Sequence, residues 1–214
     1  MHKQFIRIFL LLIFLGTQEH QAQDSLKYND NLQSDWEIGF LLGGSYPFFV
    51  GSNKDLISNE GGFAFSADVV YKNIFLRGGI SGMNATVENS FTLTEEWSQN
   101  LPLDATQFLF SIGYRIITFD HIYIKPMFSL MQLNYTTDDR VREYTGIERS
   151  INLSYYGFGF SIAYNVLSTF SPISSIELEV GINYFEPFNS TMEKNFTANV
   201  LNLSFGILIF SQIK

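Results

Sequence analysis

Few residues in this chain could do chemistry, and their types narrow what chemistry that would be. There are three histidines, His2, His20 and His121, and no cysteine. Without cysteine there is no disulfide, thiolate metal site, thiol nucleophile or lipid-modified N-terminal Cys. A serine nucleophile needs a base within reach. His2 and His20 fall in an N-terminal apolar leader and His121 in an expected turn, so no serine is offered a histidine and no metal a histidine pair. Carboxylates come closer to forming a site. Glu177 and Glu179 stand two apart, while Glu95-Glu96 and Asp138-Asp139 fall in expected loops. An ion network and solvated loop charge account for these better than a metal site, because the spacing of a calcium loop is missing. The glycine pairs Gly43-Gly44, Gly61-Gly62 and Gly78-Gly79 read as relief of crowding or bends in strands, not as a phosphate cradle. The sequence therefore names no catalytic residue, no cofactor and no metal ligand.

Composition says what surrounds these residues. The chain is acidic, with net charge −8 and pI near 4.8. It has no basic stripe to neutralise phosphates, which excludes nucleic acid as a partner. Hydrophobic residues make up 46% and aromatics 16%, and only 16% of residues are charged. A soluble domain carries ~25% charged residues. Yet the mean hydropathy, +0.07, is too low for a bundle of membrane helices. A membrane barrel gives this middling value, since only alternate residues face lipid. The length, 214 residues, fits one domain.

The N-terminus reads as an export signal. His2, Lys3 and Arg7 precede or interrupt an apolar run from Phe5 to Gly16, followed by polar residues to Gln23. The run is shorter than the ~20 residues that span a bilayer as a helix. Cleavage is expected after Ala22, giving a signal peptide over 1–22, a short periplasmic segment over 23–34 and a barrel over 35–214.

Beyond Ser34 the dominant period is two. Strands are expected near 35–44, 62–72, 74–89, 105–119, 122–137, 151–166, 174–186 and 198–211. Each is long enough to cross a bilayer at a barrel tilt, which takes ~9–11 residues. In the sixth, Tyr156, Phe158, Phe160, Ile162 and Tyr164 oppose Gly157, Gly159, Ser161, Ala163 and Asn165. Large residues thus share one face and small ones the other. A narrow eight-stranded lumen must be filled by its own side chains, so small residues inside and bulky ones toward lipid suit it. Connections alternate short (Lys72-Asn73, Asp120-His121, and 167–173 with Pro172) and long (45–61, 90–104, 138–150, 187–197). Short turns belong in the periplasm and long loops outside, so both termini are expected in the periplasm of an outer-membrane protein. Trp36, Tyr71, Phe119, Tyr123 and Tyr164 would form the periplasmic aromatic girdle, and Tyr135, Tyr156 and Tyr184 the outer one. Tyr46, Phe48, Phe49, Phe91, Trp97 and Phe188 fall in expected exposed loops, where they either anchor a partner or, the preferred reading, pack on the barrel rims or lie in the outer interface.

In this register seven charged residues point inward: Glu37, Asp68, Arg77, Arg115, Lys125, Glu177 and Glu179. All lie near the turn ends of their strands. Unpaired buried charge is costly, so four acids and three bases at one height imply mutual pairing, expected here as a plug against free diffusion.

With this pattern, the chain resembles the small outer-membrane β-barrels of OmpA and OmpX type, and the PorT-like barrel domains. The likeness spans the mature chain and is architectural. Its best local match is the last strand, where Ser204, Gly206 and Ile209 occupy the polar, glycine and hydrophobic positions of a barrel-assembly signal. The chain departs from it by ending on Ser211-Gln212-Ile213-Lys214 after Phe210 instead of on an aromatic residue. The resemblance implies an all-β, eight-stranded antiparallel up-and-down transmembrane barrel. It also implies outer-membrane lipid around it, the barrel-assembly machinery during insertion, and an envelope or surface partner met through loops. Barrel enzymes of this kind work with a histidine-assisted site at the outer rim, and this chain has no histidine there. The expectation is a non-enzymatic barrel, with a narrow porin-like channel or secretion accessory as the alternative.

Overall fold

In hydrocarbon a strand must have hydrogen-bonded neighbours on both edges, and the strands of this chain find them by closing into a ring. The computed structural model describes residues 36–51, 54–92, 96–119, 121–138, 149–166, 174–188 and 198–212. The expected signal peptide, the 23–34 segment and the Pro172 link lie outside the described residues. Eight antiparallel barrel strands follow in order: Trp36–Val50, Gly62–Tyr71, Ile74–Val87, Pro102–Tyr114 (continued by Ile116–Phe119), Ile122–Thr137, Ser150–Asn165, Ser174–Pro187 and Asn199–Gln212. Each pairs with its sequence neighbours, and the first pairs with the last from Glu37↔Gln212 to Val50↔Asn199. The fourth strand breaks at Arg115, whose N–H donates to the Asn73 carbonyl at 2.7 Å.

Several expected loops are strand. The first strand runs six residues past Gly44, to Val50. Ile57–Asn59 pairs with the end of the third strand, and Phe91–Thr92 pairs with Glu96–Trp97 as a small separate ribbon.

Face polarity is set by height. Toward the turn end, large apolar residues of every barrel strand point outward, among them Phe40, Phe65, Ile80, Phe110, Ile162, Val180 and Phe205. The opposite face there holds Ser66, Arg77, Ser111, Lys125, Ser161, Glu179 and other buried polar groups. Toward the loop end the arrangement inverts. Gln132, Asn134 and Thr136 of the fifth strand take the outer face, while Met131, Leu133 and Tyr135 are buried inside. The sixth strand repeats this with Ser150, Asn152 and Ser154 outside and Ile151, Leu153 and Tyr155 inside. The third does so with Asn84 and Thr86 against Met83, Ala85 and Val87. The lower wall is built for lipid and the upper collar for water.

The inversion corrects several placements. Tyr135 is fully buried in the collar core and does not belong to an outer girdle. Phe49, Phe91 and Trp97 pack into the same core and are not exposed loop aromatics. Tyr123 lies under the Arg115 guanidinium, 5.1 Å from the ring centre, which draws it from the periplasmic girdle toward the lumen charges. Trp36 and Tyr71 do stand together on the outer face near the turn end, with ring centres 4.7 Å apart. Tyr164 is also exposed there, and Tyr156 and Tyr184 mark the upper edge of the apolar band. The side chain of Phe119 lies outside the described residues.

This boundary can be measured. Ile162→Lys, in the apolar band, is expected to cost ~2–4 kcal/mol, as charges do at a bilayer midplane. Asn152→Lys, on the same face of the same strand but in the collar, is expected to stay within ~0.5 kcal/mol of the parent. Urea unfolding from lipid vesicles reads both, and equal losses would place the boundary elsewhere.

Candidate functional site

The turn-end half of the lumen gathers the charged residues into one continuous chain. Six of the seven are buried, and the Glu37 side chain is 27% exposed at the turn end. Asp68 and Arg77 face each other across the second and third strands, and Arg77 Nε donates to Asp68 Oδ1 at 2.7 Å. The other edge of the Arg77 guanidinium grips Glu179 from across the barrel, with Nη2 3.0 Å from Oε2. Lys125 Nζ donates to both Glu179 and Glu177 at 2.8 Å. Arg115 Nη2 lies 3.6 Å from Glu177, and its Nη1 donates to Glu37 at 3.0 Å. The order Asp68–Arg77–Glu179–Lys125–Glu177–Arg115–Glu37 alternates in sign at every step. It begins and ends on a carboxylate, so the chain carries one net negative charge.

Aromatic and aliphatic residues fill the space between the charges. Phe210 lies beneath Arg115 at 4.6 Å and beneath Lys125 at 5.5 Å, and Phe75 beneath Arg77 at 5.8 Å. Phe75 and Phe210 belong to a buried cluster with Leu41, Val70, Met127 and Leu208. Gly39 makes room for this, because a Cβ there would stand 2.6 Å from the Phe210 ring. A cation over a desolvated ring gains up to ~2 kcal/mol, which helps hold guanidinium groups away from water.

Above the charges lies a neutral polar tier. Gln107 Oε1 accepts from Ser81 at 3.0 Å and lies 3.0 Å from Ser45 Oγ, which is also 2.9 Å from Asn202 Oδ1. Ser111 and Ser129 hydroxyls are 2.7 Å apart. A cavity of about 50 Å³ lies beside this tier, lined in part by Ser66, Arg77, Ser81 and Asn202. One water needs ~10–15 Å³ by this measure, so the space suits a few waters. Phe49, Leu103, Leu133, Tyr135, Tyr155 and Trp97 belong to one buried apolar cluster in the collar.

The period-two pattern located the charges because it holds through the lower wall. The same alternation puts Phe210 on the inner face of the last strand and Tyr155 on that of the sixth, where both are buried. Phe75 beside the charges and an apolar core in the collar do not follow from it, since that face is expected to be small or polar. His121 is exposed at its turn, with its ring 6.4 Å from that of Tyr164. Among the described residues no cluster of three or more His, Asp or Glu could hold a metal. Of the carboxylate pairs, Glu177 and Glu179 are committed to Lys125, while Glu95 and Asp139 lie outside the described residues.

An apolar outer band, a closed antiparallel ring of eight strands and a lumen filled by its own side chains define a small transmembrane β-barrel. Solved structures place the fold with the small outer-membrane barrels. Neisserial surface protein A aligns over 86% of this chain and 100% of its own, with TM-score 0.51 and 11% identity. Ail, the attachment invasion locus protein of Yersinia pestis, aligns over 83% and 99%, with TM-score 0.49 and 9% identity. The outer-membrane protease OmpT of Escherichia coli aligns over 89% and 99%, with TM-score 0.38 and 8% identity. No protein-family model matches the sequence, and no curated relative does. The likeness to Neisserial surface protein A, at 11% identity, is one of fold, and fold does not assign a role.

Position in the charge chain sets what each member is worth. Glu179 is buried between two cations, so Glu179→Gln is expected to cost ~3–5 kcal/mol by leaving Arg77 and Lys125 underpaired. Glu37 ends the chain and is partly solvated, so Glu37→Gln is expected to cost under ~1 kcal/mol. Urea midpoints in vesicles should separate the two variants widely; similar midpoints would mean that water reaches the whole chain.

Proposed function

We propose that this chain is a non-enzymatic outer-membrane barrel, with both termini in the periplasm and its long connections outside. It acts as a fixed envelope element that presents its collar to a partner, and its lumen is plugged. The single observation that supports this best is the lumen itself. An alternating chain of ion pairs crosses its lower half and an apolar core fills its upper half. Either layer alone would oppose ion passage, one by holding its charges in mutual pairs and the other by excluding water. The sequence places no histidine at the outer rim to serve a serine there as base, which favours a role without catalysis. The inverted polarity of the collar supports the orientation, because a water-adapted outer surface at the loop end suits the side where long loops emerge. Outer-membrane lipid would surround the lower wall. The barrel-assembly machinery would meet the last strand, whose Ile209 side chain faces outward.

Planar-bilayer recording on the purified barrel is expected to show no steady unitary conductance. Regular openings would favour the channel reading over the plug. Orientation is read separately, and the cysteine-free chain makes labelling clean. In intact cells a membrane-impermeant maleimide is expected to label Ser98→Cys and to spare His121→Cys until the envelope is permeabilised. The reverse pattern would invert the barrel.

A further inference from the structure

The barrel wall has a cleft at its loop end. The ladder between the first and second strands stops at Ser45↔Gly62. Above that level the first strand continues along the eighth as far as Val50↔Asn199. The segment Ile57–Asn59 instead follows the third strand, paired with Ala85–Val87. The register shifts between these two ladders: Asn59 pairs with Ala85, but Phe63 pairs with Gly82. The extra residue at Glu60–Gly62 is a bulge that turns the upper segment away. Between the two diverging walls lies a cavity of about 410 Å³, within the ~300–1,000 Å³ of small-molecule sites.

Its lining differs from the rest of the collar. Tyr46 and Phe48 flank it, their ring centres 5.8 Å apart, on an outer face where the third, fifth and sixth strands carry Asn, Thr, Gln and Ser. Opposite them stand Asp55, Ser58, Glu88, Asn89 and Gln99, with Lys54 the one cation of the lining among the described residues. At the back, Asn59 accepts from the Tyr135 hydroxyl at 2.8 Å, and its Nδ2 makes no hydrogen bond. Two carboxylates against one ammonium make the cleft mildly acidic, so a sulfated or phosphorylated ligand would be repelled. Amides, carboxylates and hydroxyls dominate the lining and give many donors and acceptors at short range, with Asn89 Nδ2 already held by the Asp55 carbonyl at 2.6 Å, while the two rings add a small apolar face at its margin. A ligand matching both is polyhydroxylated, uncharged and has C–H faces that lie on aromatic rings.

We infer that this cleft binds neutral saccharide. The inference deepens the collar-presenting reading above and rests on it. The ligand's source is either the cell's own surface polysaccharide or a foreign glycan, and the chemistry of the cleft is the same for both.

The test uses the full barrel refolded into phospholipid nanodiscs, titrated by calorimetry with neutral trisaccharides of glucose, mannose and galactose. A sulfated disaccharide serves as the charged comparison. Saturable binding of at least one neutral trisaccharide is expected, and weaker or no binding of the sulfated probe. Tyr46→Ala and Gln99→Ala are each expected to weaken binding about tenfold, equivalent to ~1.4 kcal/mol. Both variants are checked for folding by heat-modifiable migration. Parallel titrations with polysaccharide isolated from the producing cell and with a free high-mannose glycan identify the source; binding of either supports the site. If folded protein binds no neutral saccharide, prefers the sulfated probe, or binds unchanged in both variants, the inference is overturned. Because bilayer conductance is measured independently, a plugged barrel that ignores sugars would defeat this inference and leave the plug standing.

Discussion

Ring closure is the constraint on which everything else depends. In the hydrocarbon layer no water is available to an orphaned N–H or carbonyl, and each one costs several kcal/mol. The first strand must therefore find the last, and it does so along fourteen residue pairs from Glu37↔Gln212 to Val50↔Asn199. Closure at eight strands leaves a lumen too narrow to be a channel by default, so side chains must fill it. Gly43 shows how tight the seam is, since a Cβ there would stand almost on the Phe205 carbonyl oxygen. Once the wall closes, every inward side chain is committed to whatever its neighbours offer.

That commitment explains the charge chain. An isolated Lys125 at this depth would be strongly disfavoured, and so would an isolated Glu179. Strung together with alternating sign, each interior member has two partners of opposite charge. Such an arrangement is weak evidence for net stability, because desolvation offsets much of the attraction. It is better evidence for register. Shifting any contributing strand by one residue would turn its charge outward into lipid and strand its partners inside. The seven charges therefore fix how the second, third, fourth, fifth and seventh strands align with the first.

Much of this was legible in the sequence, and the limit has a physical cause. Alternation reports which face a residue takes, and through the lower wall it also keeps charge off the outer face, because lipid surrounds that wall throughout. The inward placing of Arg77, Lys125 and Glu179 follows from that alone. Above the membrane the solvent changes, so the same alternation continues with the opposite meaning. Tyr135 keeps its inward face by period and was misread only because a large aromatic was assumed to seek the outer interface. Phe49, Phe91 and Trp97 were misread for the same reason: an apolar loop residue was given to the surface when an apolar core was waiting above the bilayer. The inversion is visible in Tyr155-Tyr156, two adjacent tyrosines. The first closes the collar core and the second marks the outer edge of the lipid band.

The collar also accounts for where a site could arise on so closed a molecule. In the lower wall each strand edge must be paired, so no opening is affordable there. Above the boundary water can satisfy what a strand does not, and the bulge at Glu60–Gly62 is tolerated. The first and second strands part company at that level. The divergence leaves Tyr46 and Phe48 beside a polar hollow instead of beneath a neighbouring strand. The lumen, where the sequence concentrates its charge, is occupied by its own side chains. The cavity of about 410 Å³ lies instead in the wall above, where the change of solvent lets the ladder stop.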